Sequence, residues 1–333
     1  MSRTYRKRAP SWQRTVLTVL CVILALILSA MILITIYVES LFSRLNRDDT
    51  ASTSPSLSGA DSTLSTGVVI PSEGTINIML LGTDLSDARS DTMILGTFNR
   101  AEKSITLTSF MRDTYVDIPN YFHHKMNTAF ALDGYTSLCN TLIENFGVQP
   151  DGYVAVNFES FIQVVDIIGG IEIELTEEEA LYMMSTPWNG LDATGWDLTA
   201  GVQTLNGDQA LAYSRIRDIS DSEGNWGDFG RTNRQRRVLK QVVNQCKSLN
   251  VFKLNSLLNE ILPKITTNLS NSDIVSYALE ILPVLSSCTI ESQQIPAEGT
   301  YHLDWVDQDG GMSVIWVDDF DANREILEGI IGN

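Results

Sequence analysis

The sequence predicts one α/β domain, a mixed sheet with helices on both faces, preceded by a single transmembrane helix. Three observations carry that reading. An uncharged stretch of 23 residues runs from Thr15 to Tyr37. Short β-branched and apolar runs then alternate with amphipathic helical patterns in one continuous body. No internal repeat divides that body, so a chain of 333 residues reads as one large folded unit behind an anchor.

As a helix, Thr15–Tyr37 spans roughly 34 Å, enough for a hydrocarbon core of about 30 Å. A secretory signal would be shorter and followed by a small-residue cleavage site, whereas this run continues to Tyr37 and then Glu39. Five basic residues precede it (Arg3, Arg6, Lys7, Arg8, Arg14) and only Arg44 and Arg47 follow closely, which keeps the amino end cytoplasmic. Residues 1–14 are thus a cytoplasmic basic tail, 15–37 the membrane span, 38–74 an extracellular stalk and 75–333 the extracellular folded domain. Within the stalk, Asp48–Gly74 is Ser/Thr-rich, and a flexible segment of that length separates its ends by about 30 Å.

The first strands are Ile76–Gly82, Thr92–Phe98 and Ser104–Phe110, the last two joined by a hairpin loop over Asn99–Lys103. A helix over Tyr135–Phe146 stops at Gly147. Tyr153–Phe158 is a strand. Phe161, Val164, Val165 and Ile168 then recur at helical spacing before Gly169-Gly170, a core stripe or, alternatively, the lining of a lipid tunnel. Ile171–Leu175 is a strand, and Thr176 with Glu179 opens the next helix as a capping box. After a polar loop containing tryptophans, a helix opens near Asn206-Gly207-Asp208. A long basic helix covers Gly230–Leu249, two more cover Val251–Leu262 and Asp273–Leu285, and the chain closes as strand, loop, strand and helix.

Charge excludes one class of function at once. The first 47 residues hold seven Lys and Arg against Glu39; the remaining 286 hold 16 basic and 40 acidic groups, a balance of −24. A body of that sign is not a nucleic-acid binder. Cys139, Cys246 and Cys288 lie beyond the span, an odd number whose pairing is open, and no Cys/His spacing suits zinc. Serine-hydrolase elbow, P-loop and dinucleotide-binding glycine motifs are all absent.

Seven of the body's 16 cations fall between Arg215 and Lys240. Arg231 and Gln235, at i and i+4, share one face near the amino end of the basic helix, where the dipole favours an anion. If Ser214–Arg217 is extended, Arg215 and Arg217 point the same way around Ile216; if helical, they diverge. Arginine forks suit phosphate geometry, and four or five converging guanidiniums need a multiply charged anion such as a diphosphate. Asp84 and Asp91, at the carboxyl ends of adjacent strands, could hold Mg²⁺ or Mn²⁺ against phosphate oxygens. The plainer reading is that Arg89, Arg112 or Arg215 forms structural pairs with Asp113, Asp218 or Asp228. Arg234, Arg236, Arg237 and Lys240 read as a solvated helix face, and Lys125 beside His123 and His124 as an exposed loop.

On these residues the chain resembles the LytR–CpsA–Psr (LCP) family of cell-wall enzymes. The blocks that carry the resemblance are NIMLLGTD, RSDTM, SFMRDTYVDIP, KMNTAFALDG, FESFIQVVDIIGGIEI, LNGDQALAYSRIRD and DFGRTNRQRRVL, in order between Ile76 and Val238. The resemblance implies an LCP-type domain that transfers a glycopolymer from a polyprenyl-diphosphate carrier to peptidoglycan outside the cytoplasmic membrane, with a divalent metal. It implies Asp84 and Asp91 as metal carboxylates, and Arg89, Arg112, Arg215, Arg217, Arg231 and Gln235 as a diphosphate cradle with Lys125 at its edge. Asp228 becomes an acid orienting arginines or assisting proton removal, and the stripe near Phe161 faces or supports a polyprenyl pocket. The catalytic set is then Asp84, Arg89, Arg112, Asp228 and Arg231. The sequence departs from the family pattern at Leu85–Ala88, a short loop without the arginine many members carry, and at Met111, where a proline is usual. The alternatives are a polyprenyl-diphosphate hydrolase and a non-catalytic regulator or scaffold that binds lipid-linked intermediates.

Overall fold

The computed structural model describes residues 29, 36–51, 69–70, 72, 74–83, 90–188, 190–191 and 193–332. The expected membrane span lies outside these apart from residues 29, 36 and 37, as do Asp84 and Arg89. The chain forms two compact units, residues 1–44 and 45–333. In the first, residues 36–42 are helical.

The second unit begins earlier than the expected boundary at residue 75. Strand β1 (Asn46–Arg47) pairs in parallel with β10 (Thr266–Thr267). Tyr153 donates its hydroxyl to Asp48 at 2.6 Å, and Ala51 and Ile70 are buried in the main core. Residues at both ends of the expected stalk are therefore part of the fold, because the sheet needs an edge strand and the core takes their apolar side chains.

Seven strands form the main sheet in the order β1-β10-β7-β2-β3-β4-β11, where β2 is Thr75–Thr83, β3 Ser90–Asn99, β4 Ser104–Phe110, β7 Gly152–Asn157 and β11 Thr289–Ile295. β2, β3 and β4 are antiparallel neighbours, while β2–β7 and β4–β11 are parallel. Alternation along β2 and β3 sends Met79, Leu81, Met93 and Leu95 to one face, into a core with helix α1 (Met126–Phe146). Helix α8 (Phe320–Ile331) adds Leu327 and Ile331 to the same core.

The other face of the sheet is covered by α2 (Phe158–Ile168), α4 (Gly207–Ser214) and α5 (Gly227–Cys246). Asn157 caps α2, its side chain accepting from Ser160 N–H, and Gly169 ends it with φ 93°, a left-handed conformation that a side chain would strain. Behind α2 lies a second core. It is built with β8 (Ile171–Leu175), α3 (Glu177–Ser185), opened by the expected capping box, and β9 (Gly201–Leu205). A separate four-stranded sheet has the order β12-β13-β5-β6, from Tyr301–Val306, Met312–Val317, Thr114–Asp117 and His123–Lys125. Helices α6 (Val251–Ile261) and α7 (Asn271–Ile281) flank β10. Cys139, Cys246 and Cys288 are free thiols.

Candidate active site

Between the second face of the sheet and the helices α2, α4 and α5 lies a cavity of about 710 Å³. Leu80 and Ile94 from the sheet, with Val164, Val238 and Val242 from the helices, make its wall apolar. The expected stripe on α2 divides: Phe161 and Val164 line the cavity, whereas Val165 and Ile168 are fully buried in the core behind it. The four residues at helical spacing thus divide between cavity lining and core.

Polar groups collect at one part of the lining. Arg231 and Gln235, one turn apart on α5, both face the cavity. Helix α4 ends at Ser214, so Arg215 and Arg217 lie just past it and flank the fully buried Ile216; both line the cavity. The guanidinium of Arg215 lies 5.4 Å from the ring centroid of Phe158, a cation–π contact. Asp91 lines the same lip, but β2 and β3 are antiparallel, so it stands at the amino end of β3 and not at a carboxyl end as expected.

Asp228, in the first turn of α5, is the hub. Its carboxylate lies 2.7 Å from Arg231, 3.5 Å from Arg112 and 3.8 Å from Arg217. Arg112 donates to Asp91 at 2.7 Å and lies 3.7 Å from Asp113, which in turn meets Lys125 at 3.0 Å. Arg112 thus meets Asp113 and Asp228 as the structural-pair reading expected, but the cations share these carboxylates instead of each holding its own. Among the described residues, both Asp228 oxygens, Nε of Arg112 and Nε of Arg231 are buried without a hydrogen-bond partner, because the ion pairs are not aligned as hydrogen bonds. Charged donors left without a partner in a buried cluster are what a bound oxyanion would satisfy.

Burial pushes the Asp228 carboxyl up to about 6, against the pull of Arg112 and Arg217 and with help from Asp113 and Asp91. Burial opposes the charge of Arg112, yet Asp228, Asp113 and Asp91 together outweigh it and move its pKa up.

Local structure explains the placement. A Cβ at Gly230 would stand 2.5 Å from the Asn225 carbonyl oxygen, so glycine lets the preceding loop tuck against α5. That loop is held by Asp221, which accepts from Asn225 and Asn233 side chains at 3.0 and 2.7 Å. The Arg112 carbonyl accepts from Asn127 N–H at 3.1 Å, tying the β4–β5 turn to the start of α1 beside Lys125.

Of the ten expected site residues, eight converge here: Asp91, Arg112, Lys125, Arg215, Arg217, Asp228, Arg231 and Gln235. Asp84 and Arg89 lie outside the described residues. Asp91 spends one oxygen on Arg112 and faces the cavity, a hard donor suited to a divalent cation; among the described residues no group of three or more metal-ligating side chains occurs.

The solvated-face reading of the basic helix is overturned at Arg234. It is fully buried, donates to the equally buried Glu179 at 2.8 Å, and also to the Ser220 carbonyl at 2.7 Å. Arg237 donates to the Tyr213 hydroxyl at 2.6 Å. Sequence reasoning also missed Pro187 and Trp188, which line the cavity from the loop after α3; a tryptophan in a polar loop was the available signal.

The "Polyisoprenyl-teichoic acid--peptidoglycan teichoic acid transferase TagU" of Enterococcus faecalis is 35% identical over 215 residues, 61% of this chain and 65% of its own length. The matched region thus spans just under two thirds of that relative. Among solved structures, "TagT bound to LIIa-WTA" superposes with a TM-score of 0.64 at 25% identity, covering 87% of this chain and all of the other. The LytR-CPS2A-psr family protein YwtF (TagT) with bound octaprenyl pyrophosphate lipid gives 0.59 at 25% identity, covering 83% and 98%. The family model for LytR_cpsA_psr matches residues 41–316, and with that span of sequence on this fold, the chain belongs to the LytR_cpsA_psr family.

Proposed function

We propose that this protein is a membrane-anchored, extracellular phosphotransferase that attaches a glycopolymer from a polyprenyl-diphosphate carrier to peptidoglycan. The observation that carries the reading is the joining of an apolar cavity of about 710 Å³ to a mouth lined by Arg215, Arg217 and Arg231, with Arg112 held beside it by Asp91 and Asp228. A hydrocarbon chain and a diphosphate occupy such a site together: the first fills apolar volume, the second satisfies unused guanidinium donors. The names of the relatives, a teichoic acid transferase and a protein with bound octaprenyl pyrophosphate, describe the same two chemistries.

In this reading Arg231, Arg217 and Arg215 bind the diphosphate and Arg112 stabilises the charge that builds on the transferred phosphoryl group. Gln235 and Lys125 make further contacts at its edges, with Arg89 completing the cradle. A peptidoglycan hydroxyl oxygen attacks the phosphorus bearing the glycopolymer. Asp228, whose pKa near 6 makes it a stronger base than an ordinary carboxylate, takes the hydroxyl proton. The bond to the bridging oxygen breaks, polyprenyl phosphate leaves, and a phosphodiester joins polymer to wall. Asp91 together with Asp84 would hold Mg²⁺ or Mn²⁺, which when bound adds positive charge beside the phosphates. The span over residues 15–37 would keep the domain at the surface where the lipid donor resides.

The test is the full chain in detergent with a short polyprenyl-diphosphate disaccharide, with and without peptidoglycan oligosaccharide. Acceptor-dependent product is expected. Release of polyprenyl phosphate that ignores acceptor would make the protein a hydrolase, and donor binding without turnover would make it a scaffold.

A further inference from the structure

Beside the arginine cluster, the four-stranded sheet turns a row of rings outward. Strand β5 starts two residues after Arg112, and in register Tyr115 stands opposite Lys125 on β6 and beside Trp316 on β13. Residues paired across neighbouring strands share a face, so Trp316, Tyr115 and Lys125 look the same way, as does His123 opposite Asp117. The alternate residues Thr114, Val116 and Ile315 are buried beneath.

The rings are ordered. Tyr115 and Trp316 stack with centroids 5.5 Å apart and 18° between their planes; Tyr115 and His123 follow at 6.1 Å and 35°. Trp316 remains 41% exposed, so this stack leaves much of it facing water.

Polar groups border the row. The Tyr115 hydroxyl donates to Gln308 at 3.1 Å, Asp117 lies 3.6 Å from His123, and His302, opposite Trp316, bonds Asp318 at 2.8 Å. At its inner end, Lys125 meets Asp113 at 3.0 Å, and Asp113 lies 3.7 Å from Arg112. The row therefore runs directly into the candidate active site.

Flat rings ringed by hydrogen-bonding tips suit the C–H faces and hydroxyl edges of sugars. Three strands at 4.7–4.9 Å spacing give the row a reach of about 10 Å, room for neighbouring sugar units in a strand. The sign of the border selects the occupant. Asp117 beside His123, and Asp304 and Asp318 beside His302, repel a phosphate-rich polymer, as like charges set against each other do, whereas an uncharged sugar backbone meets no such barrier.

We propose that the face carrying Trp316, Tyr115 and His123 is the acceptor subsite, where a peptidoglycan glycan strand lies across the rings and presents its hydroxyl past Lys125 toward Arg112 and Asp228. This rests on the transferase reading and adds to it the place and chemistry of acceptor recognition.

The test uses the full chain in detergent, teichoic-acid-free peptidoglycan oligosaccharide as acceptor and a short polyprenyl-diphosphate disaccharide as donor. Trp316→Ala is expected to raise the acceptor KM about tenfold, the size of a good interface contact, with donor KM unchanged. Trp316→Phe, which keeps a ring, should recover most of the loss, and Tyr115→Ala should resemble Trp316→Ala. An unchanged acceptor KM overturns the proposal, as does a raised donor KM, which would give the face to the donor glycan. If the wild-type chain transfers nothing, the transferase reading fails separately. Calorimetric titration with the oligosaccharide then decides the face alone: binding by wild type that Trp316→Ala abolishes supports it, and no binding by wild type overturns it.

Discussion

Arg231 and Asp228 meet at 2.7 Å across the first turn of α5, and the same carboxylate lies 3.5 Å from Arg112, which follows strand β4 more than a hundred residues earlier in the chain. One buried acid thus holds together cations supplied by the β4–β5 turn, the segment after α4 and α5 itself. It holds their guanidinium groups converged on one carboxylate.

Replacing either guanidinium should show this. Arg112→Ala and Arg231→Ala are each expected to lower kcat/KM for donor by at least ~10²-fold, in the range for losing a transition-state contact. Arg→Lys at either position should recover little, because the ammonium lacks the two-pronged fork. Steady-state kinetics with the lipid-diphosphate donor measures both.

Asp228 sets a pH dependence. In the proposed mechanism the carboxylate, with its pKa at about 6, is the active form, so transfer should fall as pH drops through 6 and level off above 7. Asp228→Asn should cost ~10²–10⁴-fold in kcat and remove that acidic limb from the residual rate. The folded state binds this proton more tightly than the unfolded chain, whose value is near 3.8. Its contribution to stability is therefore largest below 3.8 and declines as pH rises from there through 6. Thermal melts of wild type and Asp228→Asn across that window should converge at low pH.

Arg234 separates structure from chemistry on the same helix. Arg234→Ala leaves the buried Glu179 without its counter-charge, at a cost of about 3–5 kcal/mol. Denaturant melts should show the loss, while donor affinity of the remaining folded protein stays near wild type, since Arg234 does not line the cavity.

Filling the cavity should discriminate by lipid length. Val164→Phe and Val242→Phe both intrude into apolar volume. Each buried methylene contributes about 0.8 kcal/mol, so long polyprenyl donors should lose affinity by more than tenfold and very short analogues far less. Competition binding across a series of chain lengths measures this.

Metal removal bears on Asp91. Chelation is expected to lower transfer, with Mg²⁺ or Mn²⁺ restoring it, and Asp91→Ala should blunt the restoration. Because Asp91 also accepts from Arg112 at 2.7 Å, the informative readout is the metal concentration for half-maximal rate, not the rate alone.

The sequence by itself determined what acts over a few residues. Apolar alternation placed β4 at Ser104–Phe110 and β8 at Ile171–Leu175, the Thr176–Glu179 box opened α3, and the glycines after α1 and α2 closed them. These signals are local, since caps and periodicity are satisfied within a turn or a strand. Short β1, β5, β6 and β10 carry too few residues for a period to register, and partners distant in the chain define them. The arginines show the limit most clearly. Their density pointed to an anion, and Arg231 with Gln235 did share a face. Yet Arg234, about 60° around the same helix from Arg231, belongs to Glu179 and the core. No spacing rule distinguishes the two, because which side of α5 meets an open cavity and which meets α3 is decided only when the helices pack on the sheet.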